Sequence, residues 1–145
     1  MISCTDFIAA YSELFHFLEK KGGKPAVKDF WNYLSDLYLA SSLKTLVKQH
    51  GIRGCWEYWE KVLDEEAADC TMEMDEEAGV LTLQMHHCPS KGRLLEWKHI
   101  TPYPDYCGHC DILYQRVLEP LGFRMKVDLS ETDKARCKCV IRKTR

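Results

Sequence analysis

The sequence predicts an α+β fold in which N-terminal helices pack on an antiparallel sheet of about four strands. Two observations predict it. Apolar residues recur at helical spacing in the first half of the chain, and they alternate with polar residues in four short segments of the second half. We expect a single domain over residues 1–145, with a helical part at 1–69 and a hairpin–helix–hairpin part at 70–145.

Glycine and proline divide the helical part into at least three helices. Gly22 and Gly23 stop the first helix, and Pro25 suits the first turn of the second. That helix either continues toward Gly51 or gives way to another, and a last helix is predicted over about 54–68. The apolar stripes of these helices are interpreted as core; their aromatic members are Tyr11, Phe15, Phe30, Trp31, Trp56 and Trp59.

Two hairpins are predicted in the second part. The alternating segments 70–75 and 80–86 flank a turn of Glu, Ala and Gly, and the segments 123–129 and 136–142 flank a polar turn. Each pair predicts two antiparallel strands with one apolar face. Both apolar faces are expected to pack beneath the helices.

A loop and one helix are predicted between the hairpins. Residues 88–93 have the character of a loop, residues 94–97 suit one helical turn, and prolines follow at 102 and 104. Asp105 suits the N-cap of a helix that runs to about Leu118, with Pro120 and Gly122 beyond its end.

Composition favours a packed globular protein and argues against two classes of partner. Hydrophobic residues make up 46% of the chain, and the formal net charge is -2, so general nucleic-acid binding has no support. No apolar run approaches a membrane span and no signal peptide is visible, so we expect a cytoplasmic protein with no membrane partner. The acidic stretch at 57–77 would be the binding surface of an interaction protein. The oligomeric state is not indicated.

Cysteine and histidine are concentrated in the C-terminal half. Five of the eight cysteines lie between residues 88 and 139, and Cys107-Gly108-His109-Cys110 falls at the start of a predicted helix. Disulfides are rare in the cytoplasm, so these cysteines are interpreted as metal ligands, as reactive thiols or as buried apolar residues. All three interpretations remain open.

Helix and strand periodicity predicts which thiols meet. Cys107 and Cys110 share a helix face, where the helix dipole should lower the pKa of at least one thiol. Cys137 and Cys139 share one face of the last strand, and Cys88 ends the first hairpin, so the three segments can converge. The candidate metal ligands are Cys88, Cys107, Cys110 and Cys139, and the candidate metals are zinc and iron.

A metal-free site would use the same thiols as nucleophiles. The candidate catalytic residues are Cys110 and Cys107 as thiolates, with His109 and His87 as proton carriers, because a thiol beside a histidine is the usual activated nucleophile. His109 lies inside the motif, and His87 shares the predicted core face of its strand.

A small-molecule partner is predicted from the residues around the motif. Tyr106 belongs to a segment rich in aromatic residues, which suits a ligand pocket. Arg93 is the candidate that would hold a ligand carboxylate, and Lys91 and Lys98 are neighbouring cations.

Residues 80–142 resemble the L-2-amino-thiazoline-4-carboxylic acid hydrolase-like family and, more broadly, small ligand-binding domains of the vinyl-reductase type. The match lies in Cys88-Pro89, in Cys110-Asp111 at the opening of a helix, in Leu121-Gly122-Phe123, and in Cys139 on the last strand. The resemblance implies opening of a cyclic C=N bond in a small sulfur heterocycle that bears a carboxylate.

The resemblance also implies roles for single residues. Cys110 or Cys107 would be the thiolate, or would hold a metal that activates water, and His109 or His87 would transfer the proton. Arg93 or a cation of the basic C-terminal segment, residues 134–145, would bind the carboxylate. Cys107, His109 and Cys137 are additions to the family pattern and favour metal binding.

The leading hypothesis is a C–N hydrolase of the thiazoline-carboxylate type that uses the Cys/His cluster. The alternative is a metal-binding or small-ligand-sensing domain that does no chemistry. An enzyme needs a free thiolate or an open metal position beside a histidine, whereas a structural metal site is closed and four-coordinate.

Overall fold

The computed structural model describes residues 4–144, apart from the side chains of Cys4, Thr5, Tyr38 and Ala40. It confirms the α+β fold, with N-terminal helices followed by a four-stranded antiparallel sheet. The elements are α1 (Cys4–Leu34), a π-helical turn (Ser35–Leu39), α2 (Ala40–His50), α3 (Ile52–Glu65), β1 (Asp69–Asp75), β2 (Val80–His87), α4 (Pro89–Glu96), α5 (Gly108–Leu118), β3 (Phe123–Asp128) and β4 (Cys137–Lys143).

Gly23 divides α1 into two segments that fold back on each other. Its φ of 73° lies in the left-handed region that glycine adopts without steric cost. The ring centroids of Phe15 and Phe30 are 6.5 Å apart, whereas fifteen residues of straight helix would separate them by about 22 Å. The predicted stop at the two glycines is therefore a sharp kink. No helix in residues 4–144 has an apolar stretch long enough to cross a bilayer.

The second strands of the two hairpins pair at the centre of the sheet. The strand order is β1-β2-β4-β3. Leu81 lies opposite Ile141 and Leu83 lies opposite Cys139, and all four side chains are buried. Because the strands alternate, Cys137 and Cys139 both face the side of the sheet that the helices cover.

α5 covers the free edge of β3. The Gln115 side chain donates a hydrogen bond from Nε2 to the Met125 carbonyl at 2.6 Å and accepts one at Oε1 from the Met125 N–H at 3.0 Å. These bonds satisfy the backbone groups of an edge strand and fix α5 beside the sheet.

The prediction of a loop at residues 88–93 is wrong, because α4 begins at Pro89. Pro89 occupies the first helical position, and the Cys88 Sγ atom accepts a hydrogen bond from the Lys91 N–H at 3.4 Å. Cysteine is not among the preferred N-cap residues, so the sequence indicates a helical turn only at 94–97 and not the start of α4. Two helices, rather than one, separate the hairpins.

α5 begins two residues later than predicted, and Asp105 is not its N-cap. Cys107 holds the N-cap position and makes no side-chain cap hydrogen bond. Asp105 instead opens a turn in which the Gly108 N–H bonds to its carbonyl at 3.0 Å. A Cβ at Gly108 would lie only 2.7 Å from the Asp105 Cγ atom, so the turn closes tightly against the helix start.

Two buried hydroxyl groups fasten this region to the N-terminal helices. Ser12 Oγ accepts a hydrogen bond from the Tyr103 N–H at 2.8 Å, and Ser35 Oγ donates one to the Leu113 carbonyl at 2.7 Å. The start of α5 is therefore held against the aromatic face of α1.

Candidate active site

Five cysteine side chains come together between α4, α5 and β4, and we call them the thiol cluster: Cys88, Cys107, Cys110, Cys137 and Cys139. Burial raises the pKa of Cys137 to about 12, and the neighbouring thiols of Cys110, Cys88 and Cys107 raise it further. Every cysteine whose side chain is described is a free thiol. The structure thus brings together the four predicted metal ligands and both predicted thiol nucleophiles.

Cys110 and His109 form a hydrogen-bonded pair inside the cluster. The Cys110 Sγ and His109 Nε2 atoms are 3.4 Å apart, and His109 Nδ1 bonds to the carbonyl of Tyr106. A carbonyl oxygen only accepts, so Nδ1 carries the proton and Nε2 of the neutral ring is the acceptor. The Cys110 S–H group therefore donates to His109 Nε2.

Aromatic rings surround the His109 imidazole. The ring centroids of Tyr106, Tyr11, Phe15 and Trp31 lie 5.0, 5.4, 6.0 and 6.3 Å from the His109 centroid. Burial among these rings lowers the pKa of His109 to about 4. The imidazole is therefore neutral at pH 7, and its Nε2 lone pair can accept a hydrogen bond.

The thiols of the helix start have raised pKa values, contrary to the helix-dipole expectation. Burial raises the pKa of Cys110 to about 11, with the Asp111 carboxylate adding to it. Burial and the Cys110 thiol raise the pKa of Cys107 to about 12, although the Lys91 ammonium opposes them. Desolvation outweighs the dipole here because both side chains are mostly covered. The resting cluster consists of thiols, not thiolates.

The described side chains of the thiol cluster are not arranged as a metal site. Within residues 4–144, no three side chains of His, Cys, Asp or Glu come together in a way that could hold a metal ion. Cys88 Sγ is engaged as the cap of α4, and Cys110 Sγ is engaged by His109. The metal site stays a prediction, and the chemistry that these contacts offer is that of a thiol and an imidazole.

Tyr106 stands at the edge of the cluster between α4 and α5. Its hydroxyl group is 2.6 Å from Ser90 Oγ, and its ring lies beneath the Lys91 ammonium, with Nζ 5.9 Å from the centroid. Burial raises the pKa of Tyr106 above its usual range. The phenol is therefore neutral at pH 7, and its hydroxyl group is engaged by Ser90.

Two predicted site residues have other partners. His87 lies beside α4, where its ring fills the space that a Cβ at Gly92 would need. The Arg93 guanidinium pairs with Glu66 at 3.2 Å on the surface. No contact joins either residue to the Cys110–His109 pair, so the structure does not place them in the site.

Sequence reasoning missed the contribution of α1. Tyr11, Phe15 and Trp31 were interpreted as core only, yet they form most of the wall around His109. Their helical spacing is that of any buried stripe, so no local signal distinguishes them. Ser90 was also missed, because one serine in a predicted loop carries no pattern.

Three surface grooves lie away from the thiol cluster. A groove of about 370 Å³ runs between α3 and β1 beside Cys70, and grooves of about 330 and 270 Å³ lie on the sheet near Thr82. None of them contains a thiol–imidazole contact. We assign the candidate site by its chemistry rather than by groove size.

Comparison of the chain with protein-family models, with curated proteins and with solved structures finds no match. The resemblance to thiazoline-carboxylate hydrolases therefore stays a prediction from the motifs of residues 80–142.

Proposed function

We propose that the protein is a small-molecule hydrolase that opens a cyclic C–N bond, with Cys110 as nucleophile and His109 as base. One observation carries the proposal: His109 Nε2 faces Cys110 Sγ at 3.4 Å while the Tyr106 carbonyl holds Nδ1. A nucleophile in contact with a base that a third group orients is the arrangement that activates thiols in covalent catalysis.

The resemblance of residues 80–142 supplies the substrate class, a 2-amino-thiazoline that bears a carboxylate. Cys110 Sγ would attack the C=N carbon while His109 Nε2 takes the thiol proton. The π electron pair would move to the ring nitrogen, which receives the proton back from the imidazolium. The C–N bond would then break with its electron pair on the ring nitrogen, which takes a proton from the exocyclic amino group as that group forms a C=N bond. The ring nitrogen leaves as a neutral amine, and the ligand remains attached to sulfur.

Water completes the cycle in this scheme. It attacks the carbon that is bound to sulfur, and His109 Nε2 accepts the proton of the water. The C–S bond then breaks, and the sulfur takes the proton back as the Cys110 thiol. No redox agent is needed, because the overall change is addition of water across one C–N bond.

The raised pKa of Cys110 fits a nucleophile that is activated only with its ligand in place. A free thiolate would be prone to oxidation, whereas a thiol bonded to a neutral imidazole is not. Free thiols throughout the described residues are consistent with a reducing compartment such as the cytoplasm.

The test is hydrolysis of 2-amino-thiazoline-4-carboxylate and related cyclic C=N compounds, followed as ring-opened product by liquid chromatography. Cys110→Ser should remove turnover, and His109→Gln should lower it by about 10²–10⁴-fold. Cys70→Ser, a thiol change on β1 outside the cluster, should leave turnover unchanged. Full activity of Cys110→Ser would contradict the proposal.

A second candidate function is a small-ligand-sensing domain that does no chemistry. One observation favours it: every thiol of the cluster has a raised pKa. Such a domain would bind the heterocycle with the same affinity in the wild type and in Cys110→Ser, and neither would release product. Calorimetry beside the hydrolysis assay separates the two functions.

A further inference from the structure

Lys91 lies beside the thiol cluster, and most of its side chain is buried. Only 9% of its surface is exposed, which is unusual for a lysine. Its backbone N–H donates to Cys88 Sγ at 3.4 Å, so its Cα lies at the start of α4 directly over a cluster thiol. Its Nζ lies 5.9 Å from the centroid of the Tyr106 ring.

No carboxylate neutralises this ammonium in residues 4–144. The ion pairs of the described chain use other cations, and Arg93, two residues further along α4, is engaged with Glu66. The Lys91 Nζ atom is not among the buried nitrogen atoms that lack a partner in the described residues, so the ammonium reaches solvent while its stem is packed, and it is open to an anionic ligand. The Tyr106 ring offers only a weak cation–π contact at this distance.

The ammonium and the thiols belong to one site. The Lys91 charge acts on both Cys107 and Cys88, whose thiolate forms it favours against the effect of burial. Cys107, Cys88 and the neighbouring Ser90 are partly exposed residues, so this side of the cluster lies near the surface.

We propose that Lys91, and not Arg93, binds the anionic group of the ligand and makes the thiol cluster selective for electrophiles that carry a carboxylate. This inference rests on the proposed function, because it assumes that a thiol of the cluster attacks a bound ligand. The unpaired ammonium would hold the carboxylate, and the electrophilic carbon would then face the cluster thiols.

Two alkylating reagents that differ only in charge test the selectivity. Iodoacetate is an anion and iodoacetamide is neutral; with both, a C–S bond forms, the C–I bond breaks and iodide leaves. Rates at each cysteine are read by peptide mass spectrometry at pH 8. The iodoacetate-to-iodoacetamide rate ratio at Cys107 and Cys110 should exceed that of N-acetylcysteine by about tenfold, which corresponds to about 1.4 kcal/mol.

Lys91→Met should return this ratio to that of N-acetylcysteine, whereas Lys98→Met, which removes an exposed lysine, should not change it. A ratio that is unchanged in a folded Lys91→Met would overturn the role of Lys91 and leave Cys110 as nucleophile untouched. If Lys91→Met does not fold, the iodoacetate-to-iodoacetamide rate ratio of the wild type tests the inference. A ratio equal to that of N-acetylcysteine contradicts it. If neither reagent labels Cys107 or Cys110 except in urea, the site is closed to ligands, and both proposals fall.

Discussion

The carbonyl of Tyr106 fixes the tautomer of His109, because it accepts a hydrogen bond from Nδ1 and leaves Nε2 free. The free nitrogen is 3.4 Å from Cys110 Sγ. The carbonyl oxygen of Tyr106 therefore determines that the imidazole is the hydrogen-bond acceptor for the Cys110 thiol. The turn that ends at Cys107 makes this possible, since it brings the Tyr106 carbonyl within reach of the His109 side chain.

Stability should depend on pH through His109. Its pKa falls from 6.5 to about 4 on burial, so the unfolded chain binds the proton more tightly than the folded protein does. The contribution of His109 to the free energy of unfolding is present above about pH 6.5 and is lost as the pH falls toward 4. Between pH 7 and pH 5 this contribution falls by about 2 kcal/mol. Urea unfolding at these two pH values measures it.

The control for this pH dependence is a second histidine. His109→Gln should lose the part of the pH dependence that belongs to this group, and His99→Gln, which changes an exposed histidine, should retain it. The same loss of stability at pH 5 in wild type and His109→Gln would show that His109 is not buried as described.

Cys88 should act as a helix cap more than as a reactive group. Cys88→Ala removes the acceptor for the Lys91 N–H and should lower the free energy of unfolding by about 1 kcal/mol, whereas Cys88→Ser supplies a better cap and should be neutral or stabilising. Thermal unfolding of both variants measures the difference. Equal destabilisation by serine and alanine would argue that packing of the sulfur, and not the cap, is what matters.

Much of the fold was predictable, and the exceptions have physical causes. The two hairpins follow from alternation at residues 70–86 and 123–142, because one face of each strand is buried and the other is solvated. The start of α4 was missed because its cap is a cysteine, and only its last turn was predicted. The convergence of Cys88, Cys107 and Cys137 followed from helix and strand periodicity, but the Cys110–His109 contact did not. Neighbouring residues on a helix normally point apart, so that contact depends on the local conformation of the turn.

The environment of His109 could not be predicted from local patterns. Tyr11 and Phe15 lie more than ninety positions earlier in the chain, and their contact with His109 depends on how the kink at Gly23 and the hydroxyl of Ser12 place α1. These are tertiary contacts, and no local pattern in the sequence near residue 109 indicates them. The lowered pKa of His109 follows from these contacts and could not be predicted from the local sequence either.

Gly54 should be essential for the packing of α3 against α2. A Cβ at this position would collide with the Leu46 carbonyl oxygen and lie 2.8 Å from the Val47 nitrogen, and both neighbours are rigid backbone. Gly54→Ala should therefore lower the free energy of unfolding by about 3 kcal/mol. Lys48→Ala, on an exposed face of α2, should change it little. A fully stable Gly54→Ala would mean that the two helices are further apart than described.

Metal analysis tests the predicted zinc or iron site. Because the described side chains do not converge with metal-site geometry, we expect protein purified without chelators to hold far less than a stoichiometric amount of metal. We also expect EDTA to leave the melting temperature unchanged. Stoichiometric zinc or iron, lost together with protection of Cys88, Cys107 and Cys110 from alkylation, would show that the cluster rearranges around a metal.

The central claim is that neutral His109 holds its proton on Nδ1 and accepts the Cys110 proton at Nε2. The ring nitrogen chemical shifts of His109 at pH 7, from a long-range proton–nitrogen correlation spectrum, measure this directly. We predict a protonated Nδ1 and an unprotonated Nε2 whose shift changes in Cys110→Ala while that of Nδ1 does not. A proton on Nε2, or on both nitrogens, would remove the acceptor from Cys110 and contradict the proposed base.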